Sequence, residues 1–150
     1  MRWAGIIKND IAAGDGMNVT FFVQGCPIQC EGCHNSHIWD FDGGKEFTDE
    51  TMNMIIDAIG KNGIQRNFSL MGGEPLCEEN LALSYKIVST VRSIYPTIKI
   101  YLWTGYYLKD LVKRKNPLVY QIISQCDYLI DGPYIQDKRD ITLDKRGSTN

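Results

Sequence analysis

Three cysteines within eight consecutive residues are the feature that most restricts what this 150-residue chain can be. Cys26, Cys30 and Cys33 have the spacing CxxxCxxC, and the chain holds five cysteines in all, which is an odd number. Such close spacing is poor geometry for a disulfide framework and good geometry for a metal. The spacing therefore indicates that one short loop directs three reduced thiols at one small inorganic body.

Three protein ligands leave one coordination position open. Electron-transfer clusters and closed structural zinc sites usually have four protein ligands, so a triplet indicates a site that binds a substrate. An alternative is a structural zinc site in which His34, His37 or Cys77 is the fourth ligand. Otherwise Cys77 and Cys126 are predicted to be buried, inert cysteines, because neither has a cysteine nearby in sequence.

Composition favours one domain over residues 1–150, since 43% of the residues are hydrophobic and no linker divides the chain. Sixteen basic and eighteen acidic residues give a net charge of -2, so no general attraction to nucleic acid or to an anionic membrane is expected. The first ten residues contain no continuous apolar run, and no later stretch approaches membrane-spanning length. We therefore expect a cytoplasmic protein with neither nucleic acid nor membrane as a direct partner.

Strand and helix patterns alternate along the chain, and Thr48 is predicted to cap the first helix. The predicted strands are 18–23, 68–72, 98–103 and 127–131, and the predicted helices are 48–63, 78–96, 107–114 and 117–125. This alternation is typical of an α/β fold with a mainly parallel sheet, either doubly wound or curved toward a barrel.

Each chemically unusual segment directly follows one of these strands. The cysteine loop follows the first, Gly72-Gly73-Glu74-Pro75 the second, Thr104 the third and Asp131 the fourth. The carboxyl ends of parallel strands share one edge of the sheet, where ligands bind in α/β folds, so we expect the four segments to meet in one site. For Thr104 and Asp131, an ordinary strand-ending turn remains an equally good interpretation.

CxxxCxxC after the first strand, followed by GGEP after the second, resembles the radical S-adenosylmethionine superfamily. Five segments extend the likeness to the activating proteins of anaerobic ribonucleoside-triphosphate reductases, which are glycyl radical enzyme activases. They are GCPIQCEGCHN (25–35), MGGEPL (71–76), LWTGY (102–106), DGPYIQDKRD (131–140) and RGSTN (146–150).

The resemblance implies a shortened, open (β/α) partial TIM-type barrel and a 4Fe-4S cluster held by Cys26, Cys30 and Cys33. S-adenosylmethionine would bind at the open iron, and no catalytic residue is expected beyond the cluster and this cofactor. The implied cofactor-binding residues are Gly32, Cys33, His34, Gly72, Gly73, Glu74 and Thr104.

The implied activity is reductive cleavage of S-adenosylmethionine, which generates a glycyl radical on an anaerobic ribonucleoside-triphosphate reductase. A flavodoxin- or ferredoxin-type protein would supply the electron. Three alternatives remain at this point: an activase of another glycyl radical enzyme, such as pyruvate formate-lyase; a radical enzyme that acts on a small molecule, for which the sequence shows no extra substrate-specific segment; and a non-enzymatic zinc-binding adaptor built on the three cysteines and a histidine.

Overall fold

Six strands form one open sheet in the computed structural model, which describes residues 1–150. The strands are β1 (Arg2–Asp10), β2 (Asn18–Val23), β3 (Lys45–Glu46), β4 (Asn67–Gly72), β5 (Ile100–Trp103) and β6 (Tyr128–Ile130). The α-helices are α1 (Asp49–Ile59), α2 (Leu81–Ile94), α3 (Leu108–Lys113) and α4 (Pro117–Gln125). None of the helices combines the length and the apolar character that crossing a membrane requires.

The sheet is mixed, with the strand order β3-β1-β2-β4-β5-β6. Strands β2, β4, β5 and β6 are parallel neighbours, which confirms the predicted parallel core. Strand β1 is antiparallel to both β2 and β3. The observed fold is therefore an α/β fold with an open mixed sheet, and its antiparallel edge is an addition to the prediction.

Strand β1 was not predicted because its sequence, RWAGIIKND, lacks a sustained apolar and polar alternation. Its pairing with β2 is interrupted by register shifts between Trp3 and Gly5 and between Ile7 and Asp10. Bulges of this kind break the period of two on which strand prediction depends. Tertiary pairing with the apolar β2 compensates for the weak local signal.

Local sequence signals mark the starts of α1 and α4, but α1 ends at Ile59, four residues before its predicted end, because residues 61–63 form a separate 3₁₀ turn after Gly60. Thr48 forms a reciprocal capping box with Thr51 at the start of α1, which confirms the predicted N-cap. Asn116 accepts a hydrogen bond from the backbone of Leu118, and Pro117 occupies the first turn of α4. Helix α2 begins three residues later than predicted because residues 78–80 form a 3₁₀ turn.

The hydrophobic core packs one face of the sheet against the helices. It includes Phe21 of β2, Leu70 of β4, Ile59 of α1 and Ile87 of α2, all fully buried. The intervening strand positions carry polar groups that bond to each other, as in the 3.0 Å bond from Ser69 Oγ to Asn18 Oδ1. This arrangement leaves the carboxyl ends of β2, β4, β5 and β6 at a common edge.

Candidate cofactor site

A cavity of about 250 Å³ lies at the carboxyl ends of the four parallel strands. Its wall is built by the loops that follow these strands and by the last residues of the chain. The lining residues are Cys26, Ile28, Cys30, Cys33, Asn35, Trp39 and Asn150, together with residues 71–74, 103–105, 130–134 and 146–148. The expected meeting of four loops in one site is therefore confirmed.

All three cysteines of the triplet contribute to this wall, and all three are free. Cys26 is buried, whereas Cys30 and Cys33 are half-buried. The loop turns tightly, with a 3.1 Å bond from the Cys33 N–H to the Cys30 carbonyl and a positive φ of 53° at Gln29. Burial raises the pKa of the Cys26 and Cys30 thiols above the ordinary value.

The structure holds no group of three His, Cys, Asp or Glu side chains arranged around a single metal ion. The donor set is three soft sulfur ligands, which suits iron–sulfur chemistry.

Glu74 is a fully buried carboxylate in the wall of the cavity. The Thr104 hydroxyl lies 2.6 Å from Oε1 and 2.8 Å from Oε2, and the Gly105 N–H donates to Oε1 at 3.1 Å. Burial raises the pKa of Glu74 to about 7, although the donors on Thr104 and Gly105 act in the opposite direction. The loops after β4 and β5 are therefore joined by a buried acid that titrates near neutral pH.

Position 73 requires glycine because the GGEP loop and the start of the cysteine loop approach each other closely there. A Cβ at this position would overlap the carbonyl group of Gly25, which directly precedes the cysteine triplet. The Glu74 N–H donates to that same carbonyl at 2.8 Å, and the Gly73 N–H donates to the carbonyl of Val23 at 2.9 Å. The GGEP segment thus lies directly against the start of the cysteine loop, which gives the glycine a packing role beside any role toward a ligand.

Asn80 is a positioning residue that the sequence analysis did not identify. Its buried amide lies 3.1 Å from the carbonyl oxygen of Gln24, 3.4 Å from that of Gly25 and 3.0 Å from that of Glu74. It joins the base of the cysteine loop to the GGEP loop. A lone asparagine after two glutamates gives no sequence signal of this role, because the carbonyls of Gln24 and Gly25 are distant in sequence.

The C-terminal segment folds back over the cavity. Trp103 Nε1 donates to the carbonyl of Lys145 at 2.6 Å, and the Asn150 amide donates to the carbonyl of Pro133 at 2.7 Å. The buried Ser148 hydroxyl accepts from the Ile135 N–H at 3.2 Å. These bonds fix residues 146–150 as a wall of the site.

Two residues of the predicted cofactor set lie outside the cavity wall. Gly32 is exposed, with a positive φ of 74°, and packs against Gln136. His34 is exposed, and its ring centroid lies 5.7 Å from that of Tyr134. The other members, which are Cys33, Gly72, Gly73, Glu74 and Thr104, do line the cavity. His37 lines a second cavity and does not line the first.

The remaining two cysteines lie outside the wall of the cavity. The Cys77 thiol is buried and donates to the Glu74 carbonyl at 3.1 Å, while the Cys126 thiol donates to the Ile122 carbonyl at 3.3 Å. Burial raises the pKa of each thiol to about 12. Both are therefore protonated at neutral pH and poor metal ligands as placed.

The chain matches a family of proteins that is defined by an iron–sulfur cluster. Residues 12–150 match the family model described as 4Fe-4S single cluster domain. This match covers the entire cavity wall and favours an iron–sulfur cluster over a zinc adaptor.

Several curated proteins are similar over nearly their whole length. Anaerobic ribonucleoside-triphosphate reductase-activating protein of Escherichia coli (strain K12) is 37% identical over 142 residues, which cover 94% of this chain and 90% of that protein. The protein of that name from Pasteurella multocida is 36% identical, with coverage of 100% and 94%. The one from Enterobacteria phage T4 is 36% identical, with coverage of 89% and 81%.

Proposed function

The chain belongs to the family of anaerobic ribonucleoside-triphosphate reductase-activating proteins, and on this premise we propose that it generates a glycyl radical on such a reductase. The proposed reaction uses a 4Fe-4S cluster and S-adenosylmethionine. The observation that carries the proposal is the placement of three free thiols and one buried acid in a single cavity at the carboxyl edge of the sheet.

The residues present fit a cluster of this kind. Cys26, Cys30 and Cys33 would hold three of its irons, and the fourth would remain open to S-adenosylmethionine. When bound, the cluster would supply one electron to S-adenosylmethionine, and the products of S-adenosylmethionine and a glycine residue of the reductase would be methionine, 5'-deoxyadenosine that carries the glycine hydrogen atom, and a glycyl radical. The protein contributes binding, orientation and the exclusion of water.

Cofactor binding is proposed for Gly32, Cys33, His34, Gly72, Gly73, Glu74 and Thr104. The support is strongest where these residues line the cavity, and it is weakest for Gly32 and His34, which are exposed and do not line it. The buried Glu74 carboxylate is suited to accept a hydrogen bond from an ammonium group of the ligand, since charge-assisted hydrogen bonds are the strong ones. Thr104 would then set the direction of that carboxylate.

Several further features belong to the same proposal. Residues 1–150 would form a single radical S-adenosylmethionine domain, with its sheet curved as a shortened, open (β/α) barrel. The partners would be the reductase and a flavodoxin- or ferredoxin-type electron donor, with neither nucleic acid nor membrane as a direct partner. The protein would act in the cytoplasm as an oxidoreductase.

The test is an anaerobic incubation of the reconstituted protein with S-adenosylmethionine, a reductant and the purified reductase. A glycyl radical doublet in the electron paramagnetic resonance spectrum of the reductase is the expected result. A parallel incubation with pyruvate formate-lyase is the control for substrate choice. A doublet on the formate-lyase alone would overturn the assignment of the reductase as substrate, and no doublet on either would overturn the activity.

A further inference from the structure

The indole N–H of Trp39 is a buried hydrogen-bond donor that has no acceptor within the chain. Trp39 lines the cavity at the carboxyl edge of the sheet, together with the three cysteines of the triplet. Two other buried side-chain atoms also lack a partner, Gln24 Oε1 and the Tyr101 hydroxyl, but neither of these residues lines that cavity. Trp39 therefore supplies the one buried, unpaired polar side-chain atom of the cavity wall.

The other two tryptophans of the chain both use their indole N–H groups. Trp3 Nε1 donates to the Glu46 carbonyl at 3.3 Å, and Trp103 Nε1 donates to the Lys145 carbonyl at 2.6 Å. An indole nitrogen donates and does not accept, so only a hydrogen-bond acceptor can satisfy it. Since a buried donor without an acceptor is unfavourable, the Trp39 N–H points to an acceptor on what the cavity binds.

The backbone places Trp39 beside the first cysteine of the triplet. The Cys26 N–H donates to the Trp39 carbonyl at 3.0 Å, and the Gly25 N–H donates to the Ile38 carbonyl at 2.8 Å. These two bonds hold the segment after the triplet alongside the segment that begins it. Cys26 is also the buried member of the triplet, so Trp39 adjoins the cysteine that is most shielded from solvent.

Sulfur is an acceptor that this loop already engages. The Asn35 N–H donates to Cys33 Sγ at 3.4 Å, which is a hydrogen bond from the loop to a thiol of the triplet. Hydrogen bonds to the sulfurs are among the factors that set the reduction potential of an iron–sulfur cluster. A second donor in the same wall would act in the same direction.

We propose that the indole N–H of Trp39 donates a hydrogen bond to a sulfur of the bound cluster and thereby raises the reduction potential of the cluster. The inference rests on the proposed function, in which the three cysteines hold a 4Fe-4S cluster in this cavity. Reduction adds one negative charge, and a hydrogen bond is stronger when its acceptor is more negative. The bond therefore stabilises the reduced form more than the oxidised form.

The first test is the midpoint potential of the reconstituted protein, measured without S-adenosylmethionine in the wild type and in Trp39→Phe. Phenylalanine keeps an aromatic ring in the wall and removes the N–H. We expect a roughly tenfold smaller equilibrium constant for one-electron reduction, which corresponds to a potential lower by about 59 mV. Trp103→Phe is the matched control, because Trp103 lines the same cavity but its N–H is bonded to the Lys145 carbonyl. Its potential should stay near that of the wild type.

A second measurement detects the hydrogen bond directly. The indole nitrogens of the three tryptophans are labelled with ¹⁵N, and the reduced protein is examined by pulsed electron paramagnetic resonance without S-adenosylmethionine. A ¹⁵N coupling to the cluster is expected in the wild type and in Trp103→Phe, and it should be missing from Trp39→Phe. The wild-type spectrum decides the question even if Trp39→Phe does not take up a cluster.

An unchanged potential in Trp39→Phe would overturn the inference, and so would equal shifts in Trp39→Phe and Trp103→Phe or a wild-type spectrum without ¹⁵N coupling. A potential that falls in Trp39→Phe only after S-adenosylmethionine is added would also overturn it, because the acceptor would then lie on S-adenosylmethionine. A wild-type protein that takes up no cluster would instead overturn the proposed function. The two failures are therefore distinguishable.

Discussion

The hydroxyl of Thr104 bonds to both carboxylate oxygens of Glu74, at 2.6 and 2.8 Å, and this carboxylate is fully buried. The two residues come from the ends of adjacent strands, β4 and β5. Their contact joins two loops of the cavity and accounts for the presence of a threonine and a glutamate at positions that a simple turn would not require. Several of the consequences can be measured.

Replacement of Thr104 by Val should destabilise the protein by about 2 kcal/mol, because a buried carboxylate loses its strongest donor. Valine conserves the shape and removes only the hydroxyl. The measurement is urea unfolding of the cluster-free protein. Thr90→Val is the control, since Thr90 donates only to the Lys86 carbonyl in its own helix and is partly exposed; its change should stay within about 0.5 kcal/mol. Equal effects at the two positions would contradict the role of Thr104.

The stability of the cluster-free protein should fall as pH rises from about 5 to about 8. Burial raises the pKa of Glu74 from the ordinary 4.5 to about 7, so between these values the unfolded chain releases a proton that the folded protein keeps. The shift corresponds to roughly 3 kcal/mol. In Glu74→Gln this contribution is absent, and its unfolding free energy should depend less on pH. The same decline in both proteins would assign the pH dependence to other groups.

Replacement of Gly73 by Ala should prevent the GGEP loop from seating against the cysteine loop. The new methyl group would overlap the carbonyl of Gly25, so the backbone must shift. We expect a loss of stability of about 2 kcal/mol or more, together with poor incorporation of iron and sulfide on reconstitution. Gly5→Ala is the control, because a Cβ there meets nothing within 4 Å. A Gly73→Ala protein that takes up a full cluster would show that the two loops need not meet.

Asn80→Ala should destabilise the site by about 2 kcal/mol, because three buried carbonyls lose their shared donor. The expected result is a lower unfolding free energy and faster loss of iron to a chelator. Asn53, an exposed residue of α1, supplies the control variant Asn53→Ala. Chelation at the wild-type rate in Asn80→Ala would show that this residue supports the fold without supporting the cysteine loop.

Local patterns predicted most of the parallel core. Residues 18–23 form a strand within the predicted bounds, and Thr48 caps the first helix as expected, since apolar runs and capping residues act over a few positions. Strand β1 was missed because its formation depends on pairing with β2 and not on its own alternation. The same reason applies to Asn80, since two of its three partners, the carbonyls of Gln24 and Gly25, are distant in sequence.

The topology of the sheet was enough to predict which loops meet at the cavity. Cys26, Gly73 and Glu74 meet because the ends of parallel strands share an edge. The wall formed by the C-terminal segment, including Arg146, could not be predicted, because a returning segment depends on specific bonds such as that from Trp103 to Lys145. Sequence spacing also gave no sign that Gly32 and His34 would be exposed and absent from the cavity wall.

The proposed cluster is tested by the electron paramagnetic resonance spectrum of the reduced, reconstituted protein with and without S-adenosylmethionine. We expect a 4Fe-4S signal that changes when S-adenosylmethionine is added, because one iron of the proposed cluster would have no protein ligand. The signal should be lost or altered in Cys30→Ala and retained in Cys126→Ala, which lies outside the cavity wall. A signal that does not respond to S-adenosylmethionine, or a normal signal in Cys30→Ala, would contradict the assignment of the three cysteines.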